Sequence, residues 1–316
     1  MNSLKHWIVV FCLFAVAVAQ AQKDATPHRA RLVGVDKDVK LEVLDWGGSG
    51  RPLILLPGLG DTAHVFDDIA LKLTPTYHVI GITPRGFGAS TAPLPLPANY
   101  SADRLGDDVV SVIQALKLDR PVLAGHSVAG EVLSAVGTRH PDKIAALIYI
   151  DAGYAYALYD QAHGDLVLDC IALREKLAEL HLGALPRNPQ QVNELLTGMH
   201  QLEQELQQRK EDFSQISPPH PIDNPVSVAL LDGQQKFTQL RLPVLAIFNV
   251  PHSPVFRRTM EDQVKAFEVQ VPQAQIVRIA NADHYVFQSN EAEVVRDISA
   301  FIANLHGDDQ SNPLHK

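Results

Sequence analysis

In Val122-Leu123-Ala124-Gly125-His126-Ser127-Val128-Ala129-Gly130 a short apolar run passes through Gly-His-Ser into a helix-forming stretch. That order places Ser127 on a sharp turn between a buried strand and a helix. Such a turn strains its central residue and draws strand and helix together, so the neighbours must be small. Gly125 and Ala129 meet that demand. The helix aims its unpaired N–H groups and the positive end of its dipole at the space above the serine, where they favour developing negative charge. Ser127 is therefore the candidate nucleophile. The pattern Gly-x-Ser-x-Gly is nearly matched, with Ala129 in place of the second glycine and Gly130 one residue later. A pentapeptide of this kind arises often by chance, and the surrounding chain has to carry the assignment.

Outward from this turn, strand-like runs alternate with helix-like ones. Residues 39–44 alternate apolar and polar, while 53–56, 78–82, 122–124, 145–150 and 244–248 are almost wholly apolar. Apolar strands separated by helices imply a parallel sheet covered on both faces. Behind a Ser101 cap, Leu105, Val109, Val112, Ile113 and Leu116 share one helical face, and Val294, Val295, Ile298, Phe301, Ile302 and Leu305 share another. The alternation stops between Ile150 and Pro243. There a long amphipathic helix begins at Asn188-Pro189 and carries Val192, Leu195, Leu196, Met199, Leu202 and Leu206. Ser217-Pro218-Pro219-His220-Pro221 reads as a lid loop, too rigid and donor-poor for helix or central strand. The expected fold is α/β: a mostly parallel central sheet with helices on both faces and a helical cap inserted after the sixth core strand.

At 316 residues the chain can bury a large core, and one domain with an insertion accounts for its length. The start carries a basic residue, an apolar run from Trp7 to Ala19 and the small-x-small triplet Ala19-Gln20-Ala21, which reads as an export signal over residues 1–21. The run falls short of the roughly 20 apolar residues of a spanning helix. The expected divisions are then core over 22–151, cap over 152–242, core again over 243–305 and a frayed polar tail over 306–316, with a periplasmic or secreted location. Cys12 lies inside the apolar run rather than at its end, so no lipid anchor is implied. Cys170 is the only cysteine after the signal, which rules out a disulfide within the mature chain. It shares an apolar helical face with Leu166, Leu173 and Leu177 and is expected to be a small buried hydrophobe. Net charge is −9, or −10 without Lys5, and no Lys/Arg cluster occurs, which argues against nucleic acid and anionic membrane surfaces as partners.

Three further stretches accompany the Ser127 turn. Leu56-Pro57-Gly58-Leu59-Gly60-Asp61 follows an early buried strand, Thr83-Pro84-Arg85-Gly86-Phe87-Gly88-Ala89-Ser90 follows the next, and Ile279-Ala280-Asn281-Ala282-Asp283-His284-Tyr285-Val286-Phe287 precedes the terminal helix. Together, from about residue 30 to 305, they resemble the α/β-hydrolase fold family, in its serine esterase/lipase-like branch with a helical cap. The resemblance implies that the N–H groups of Leu59 and Val128 form an oxyanion hole, with Pro57-Gly58 where His-Gly is more familiar. It makes His284 the general base, since an imidazole accepts and returns a proton near neutral pH. The 83–90 stretch, with Thr83 where the family has Asp, is structural. His126 belongs to the turn and is read as lining the pocket.

The acid is the awkward member. The loop after residues 244–248 reads Asn249-Val250-Pro251-His252-Ser253-Pro254 and holds no carboxylate, although family members often place the acid there. An anion is needed to hold the base in one tautomer and to offset its charge. Asp151 ends the strand beside the nucleophile's own, one spacing of about 4.8 Å nearer, and is the chosen acid; its other role would be to cap the first turn of the insertion. Glu131, one helical turn past Ser127, and Asp283, beside the base, are the alternatives; Glu131 is expected to meet backbone or an ion pair, and Asp283 to point away from the ring. The implied activity is serine hydrolysis of a small-molecule acyl substrate through an acyl-enzyme. A carboxylic ester is the first choice, an amide or lactone the nearest rival, and a non-hydrolytic ligand-binding member the rival from another class. Neither a metal nor an organic cofactor is required, and no His-Glu-x-x-His spacing is present. Tyr154, Tyr156 and Tyr159 line an apolar acyl pocket or pack the cap on the core.

Overall fold

The computed structural model describes residues 28–162, 164–178, 189–213, 222–251 and 254–311. The export signal and the 217–221 lid loop lie outside the described residues. β1 (Arg29–Asp36), β2 (Val39–Gly47) and β3 (Pro52–Leu56) lead to α1 (Asp67–Leu73), β4 (His78–Ile82), a short α2 (Pro97–Tyr100) and α3 (Ala102–Ala115). Then come β5 (Val122–His126), α4 (Ala129–Arg139) and β6 (Ala146–Ile150). Three helices, α5 (Leu166–Ala178), α6 (Pro189–Phe213) and α7 (Pro225–Asp232), are inserted before β7 (Val244–Val250). The chain closes with α8 (Pro254–Gln270), β8 (Ala274–Ala280), the one-turn α9 (Val286–Ser289) and α10 (Glu291–Ser311).

The eight strands form one sheet in the order β1-β2-β4-β3-β5-β6-β7-β8. Only the β1–β2 and β2–β4 pairs are antiparallel. From β4 to β8 every pair is parallel, so β3, β5, β6, β7 and β8 all end on the same edge. Chemistry in a sheet of this kind gathers at that edge, because loops leaving adjacent strands meet there. The apolar runs are continuous because both faces are covered. Leu53 and Leu55, Val122 and Ala124, and Ile148 and Ile150 pack toward α1 and α10. Ile54, Leu123, Leu147 and Tyr149 pack toward α3, α4 and α8. Helix α3 starts where the sequence places it, with the Ser101 hydroxyl accepting from the Arg104 N–H at 3.3 Å.

Two expectations are corrected. Cys170 is exposed, not buried. Helix α5 turns Leu168, Asp169 and Ile171 inward instead, because the Asp169 carboxylate accepts from the Tyr159 hydroxyl at 2.9 Å and pairs with Lys236. Helix α6 begins at Pro189 as the sequence suggests, yet Val192, Leu196, Met199 and Leu206 are exposed. Its inward side is mixed: Leu195 and Leu202 are half-buried, Gln201 donates to the Tyr159 hydroxyl at 2.7 Å, and Glu205 is buried. The last helix, α10, runs on to Ser311. Each residue added to an existing helix gains a backbone hydrogen bond without a new nucleus, so polarity alone does not stop α10 at Leu305.

The 83–90 stretch works as a brace beneath the site edge. Arg85 is buried and donates to both oxygens of buried Asp108, at 2.7 and 2.6 Å. Thr83 donates to Glu42 at 2.7 Å, and the Ser90 hydroxyl donates to the Thr83 carbonyl at 2.8 Å. Removing one partner of a buried pair strands the other charge in low dielectric. Asp108→Ala is expected to lower unfolding stability by about 3–5 kcal/mol. Asp107→Ala, which breaks a half-exposed pair with Arg139, should cost under about 1 kcal/mol, both read by urea denaturation. Equal losses would remove the brace from the account.

Candidate active site

The turn after β5 has the strain its sequence demands: Ser127 sits at φ 52°, in the left-handed region that side chains rarely adopt. Its N–H is held by the Ile150 carbonyl of β6 at 3.3 Å, and α4 begins two residues on. Gly125 lies under this turn, and a Cβ there would come within 3.1 Å of Ala129 Cβ and of Leu133. The loop after β3 closes over the same point. A Cβ on Gly58 would meet His126 Nδ1 at 3.0 Å and Ser127 Cβ at 3.1 Å, so the absence of a side chain lets this backbone reach the serine. Among the described residues, no hydrogen bond uses the N–H of Leu59 or of Val128.

Asp151 follows β6 directly and is completely buried, also in a left-handed conformation at φ 47°. One oxygen meets His284 Nδ1 at 2.6 Å; the other accepts from the Tyr154 hydroxyl at 2.7 Å and the Asn249 N–H at 3.1 Å. The end of β7, where the sequence lacks a carboxylate, thus supplies a backbone donor to the acid on the neighbouring strand. Asp151 is brought to His284 and does not cap the insertion's first turn. Asp283 is exposed and makes no bond to the ring, as expected of a side chain pointing away from its neighbour.

His284 is half exposed and is positioned from below by His126. The His126 ring is buried, packs against the His284 ring with centroids 4.6 Å apart, and bonds the His284 carbonyl through Nε2 at 3.0 Å. Burial, then the nearby His284, pushes the pKa of His126 down to about 4. A neutral ring that bonds a carbonyl through Nε2 carries its proton there, leaving Nδ1 bare against Gly58. The Tyr285 hydroxyl donates to Asp61 at 3.0 Å, which ties the histidine loop to the loop after β3.

Among the described residues, no hydrogen bond joins Ser127 Oγ to His284 Nε2. The Ser127 side chain instead interacts with the Tyr156 phenol. Burial, followed by the charge of Asp151, raises the Tyr156 pKa well above the ordinary phenol range, and the Ser127 contact acts in the opposite direction. Tyr156 thus holds its hydroxyl proton firmly and stands beside the nucleophile. The sequence offers Tyr154, Tyr156 and Tyr159 alike as pocket lining. In the fold Tyr154 serves Asp151, Tyr156 serves Ser127, and Tyr159 is drawn away to Asp169. An apolar cavity of about 760 Å³ opens beside them, lined by Asp151, Tyr156, Leu231, Met260 and His284 among others. That size suits a small molecule.

With this geometry in hand, comparison with known proteins gives one family. The chain belongs to the α/β hydrolase fold family, which its residues 51–291 match. It is 34% identical over 111 residues to the protein named carbamate hydrolase RutD of Caulobacter segnis, covering 35% of this chain and 41% of that protein. It is 31% identical over 117 residues to the fluoroacetate dehalogenase of a Burkholderia species, covering 36% and 38%. The chain therefore spans about two fifths of the length of these curated relatives. The crystal structure of E-2-(acetamidomethylene)succinate hydrolase superposes with a TM-score of 0.58 at 19% identity, over 87% of this chain and 99% of that one.

Glu131 departs from expectation most sharply. It meets neither backbone nor counter-ion: it is completely buried in α4 and neither carboxyl oxygen has a hydrogen-bond partner. It faces a small cavity of about 30 Å³ shared with Gly58, Val128 and Asp108. Burial alone raises its pKa well above the carboxylate range, so the folded protein carries it as a neutral acid. The unfolded chain ionises this group above its ordinary pKa of about 4.3. Folding then takes up a proton, and stability is lost as pH rises, by up to about 1.4 kcal/mol per pH unit, until the folded group itself ionises. Urea denaturation between pH 5 and 8 should show a steeper decline in wild type than in Glu131→Gln. Parallel curves would mean that Glu131 is not held neutral.

Proposed function

We propose that this chain is an exported serine hydrolase that cleaves carboxylic esters by two-step acyl transfer. One geometric feature carries the proposal: the 2.6 Å bond between Asp151 and His284 Nδ1, on strand ends adjoining the strained Ser127 turn. A base locked through Nδ1 presents Nε2 toward substrate and nucleophile. Ser127 Oγ attacks the acyl carbon while His284 Nε2 takes its proton, forming the C–O bond to the enzyme. The N–H groups of Leu59 and Val128 receive the oxyanion. The tetrahedral species expels the alcohol, which leaves with the proton from His284. Water then enters through the same steps and releases the carboxylic acid. Asp151 holds the ring in one orientation and offsets the charge of the imidazolium.

Serine–histidine contacts of this type often close only when substrate is bound. The Ser127 hydroxyl must turn toward His284, and the 760 Å³ cavity that Tyr156 and His284 line would receive the acyl group. Ser127 as nucleophile separates this chain from members of the fold that use aspartate, which the resemblance associates with dehalogenases and epoxide hydrolases. The export assignment rests on residues 1–21, and the inserted helices α5 to α7 are assigned as the cap. Among the described residues, no helix is long and apolar enough to cross a membrane.

A fluorophosphonate probe should label Ser127 in wild type and give no label in Ser127→Ala. Hydrolysis of a p-nitrophenyl ester should fall on the order of 10³–10⁴-fold in kcat for Asp151→Asn, with Asp283→Asn close to wild type. Wild-type protein that neither labels nor hydrolyses the ester would overturn the proposal and favour a non-hydrolytic, ligand-binding member of the fold.

A further inference from the structure

A second cluster of chemistry-bearing side chains lies away from Ser127. His28 precedes the edge strand β1, His64 sits in a 3₁₀ turn, Ala63–Phe66, and Asp67 opens α1. His28 Nδ1 is 3.1 Å from Asp67 Oδ1, and His64 Nδ1 is 3.5 Å from Asp67 Oδ2. One donor atom from each of the three residues lies within 4.8 Å of the others. The two imidazole rings meet edge to face, with centroids 5.0 Å apart. A tetrahedral zinc ion with bonds of about 2.1 Å separates its ligand atoms by about 3.4 Å, so the observed spacings need only small side-chain adjustments.

The surroundings fit metal ligation better than a mere packing of polar groups. A ligating imidazole commonly gives its other N–H to a carboxylate, which fixes its tautomer. Glu42 stands where such a carboxylate would: its Oε1 lies 3.6 Å from His64 Nε2, beyond hydrogen-bond length but within ion-pair range, and its other oxygen is held by Thr83 at 2.7 Å. Asp67 is oriented in turn by the Trp46 indole N–H at 3.0 Å. The His28 side chain is enclosed and that of His64 is 38% exposed, so an ion would reach the cluster from the His64 side. Nitrogen and oxygen donors in this mixture suit a first-row divalent cation rather than Ca²⁺ or Mg²⁺, which take oxygen.

We propose that His28, His64 and Asp67 bind one first-row divalent cation, with zinc the best match, and that Glu42 and Trp46 orient the ligands. The ion would clamp the start of the described chain to the turn that follows the Pro57–Asp61 loop. This site is independent of the esterase proposal, since it shares no residue with the Ser127 centre.

The test is isothermal titration of ZnCl₂ into untagged, EDTA-treated full-length protein in a non-chelating buffer. One equivalent should bind saturably in wild type, with affinity at least ten-fold weaker in His64→Ala and in Asp67→Asn; far-UV circular dichroism establishes that both variants are folded. Co²⁺ in place of Zn²⁺ should give a d–d absorption band in wild type that both variants lose. No saturable equivalent in wild type, or unchanged affinity in the two folded variants, would overturn the proposal.

Discussion

The hydrogen bond between Asp151 and His284 joins residues 133 positions apart and organises the edge of the sheet around itself. It forms because β6 and β8 run parallel on the same side of β5 and end together, with only β7 between them. A buried carboxylate is stable only with donors around it, and Asp151 has Tyr154, Asn249 and His284. Each comes from a different segment: the start of the insertion, the end of β7 and the loop after β8. Strand order, insertion and terminal loop thus converge on one carboxylate. The edge of the sheet is organised by a charge requirement as much as by packing.

That convergence is supported by strain held in place. Ser127 and Asp151, at the ends of paired strands, both occupy left-handed backbone positions, and Asn281 does so in the histidine loop at φ 56°. Residues other than glycine persist in this region only where surrounding contacts overdetermine them. Here those contacts are the Ser127 N–H on Ile150, the Asp151 N–H on Ile247, and the buried His126 ring packed beneath His284. His126 shows how one residue serves two purposes: it belongs to the nucleophile's turn by sequence and to the base's platform by geometry. A neutral ring with a pKa of about 4 does this without placing a second positive charge beside His284.

Much of this was legible in the chain. The apolar runs identify strands that are buried on both faces, and the turn around Ser127, the Gly58 loop and the His284 loop follow from local sequence order. The acid was legible only by elimination, since nothing local distinguishes Asp151 as a ligand of His284 from Asp151 as a cap. Its partners Tyr154 and Asn249 come together only in three dimensions. Cys170 and helix α6 misled for a related reason. Apolar periodicity locates a helix's greasy face but not whether that face meets the core, and in α5 and α6 the polar ties of Asp169, Tyr159, Gln201 and Lys236 set the inward side. Strand β1 carries little signal, with Val33 its one buried residue. Glu131 was misjudged because a carboxyl in an apolar helix is normally paired, and here it is kept neutral by burial.

The most direct measurement of the account is the imidazole Nδ1 proton of His284, observed by nuclear magnetic resonance in protein labelled with ¹⁵N-histidine. A proton shared with the buried Asp151 carboxylate should resonate far downfield, persist in Asp283→Asn and disappear or move sharply upfield in Asp151→Asn. If the downfield signal survived unchanged in folded Asp151→Asn, another group would be holding the histidine and the organisation described here would be wrong.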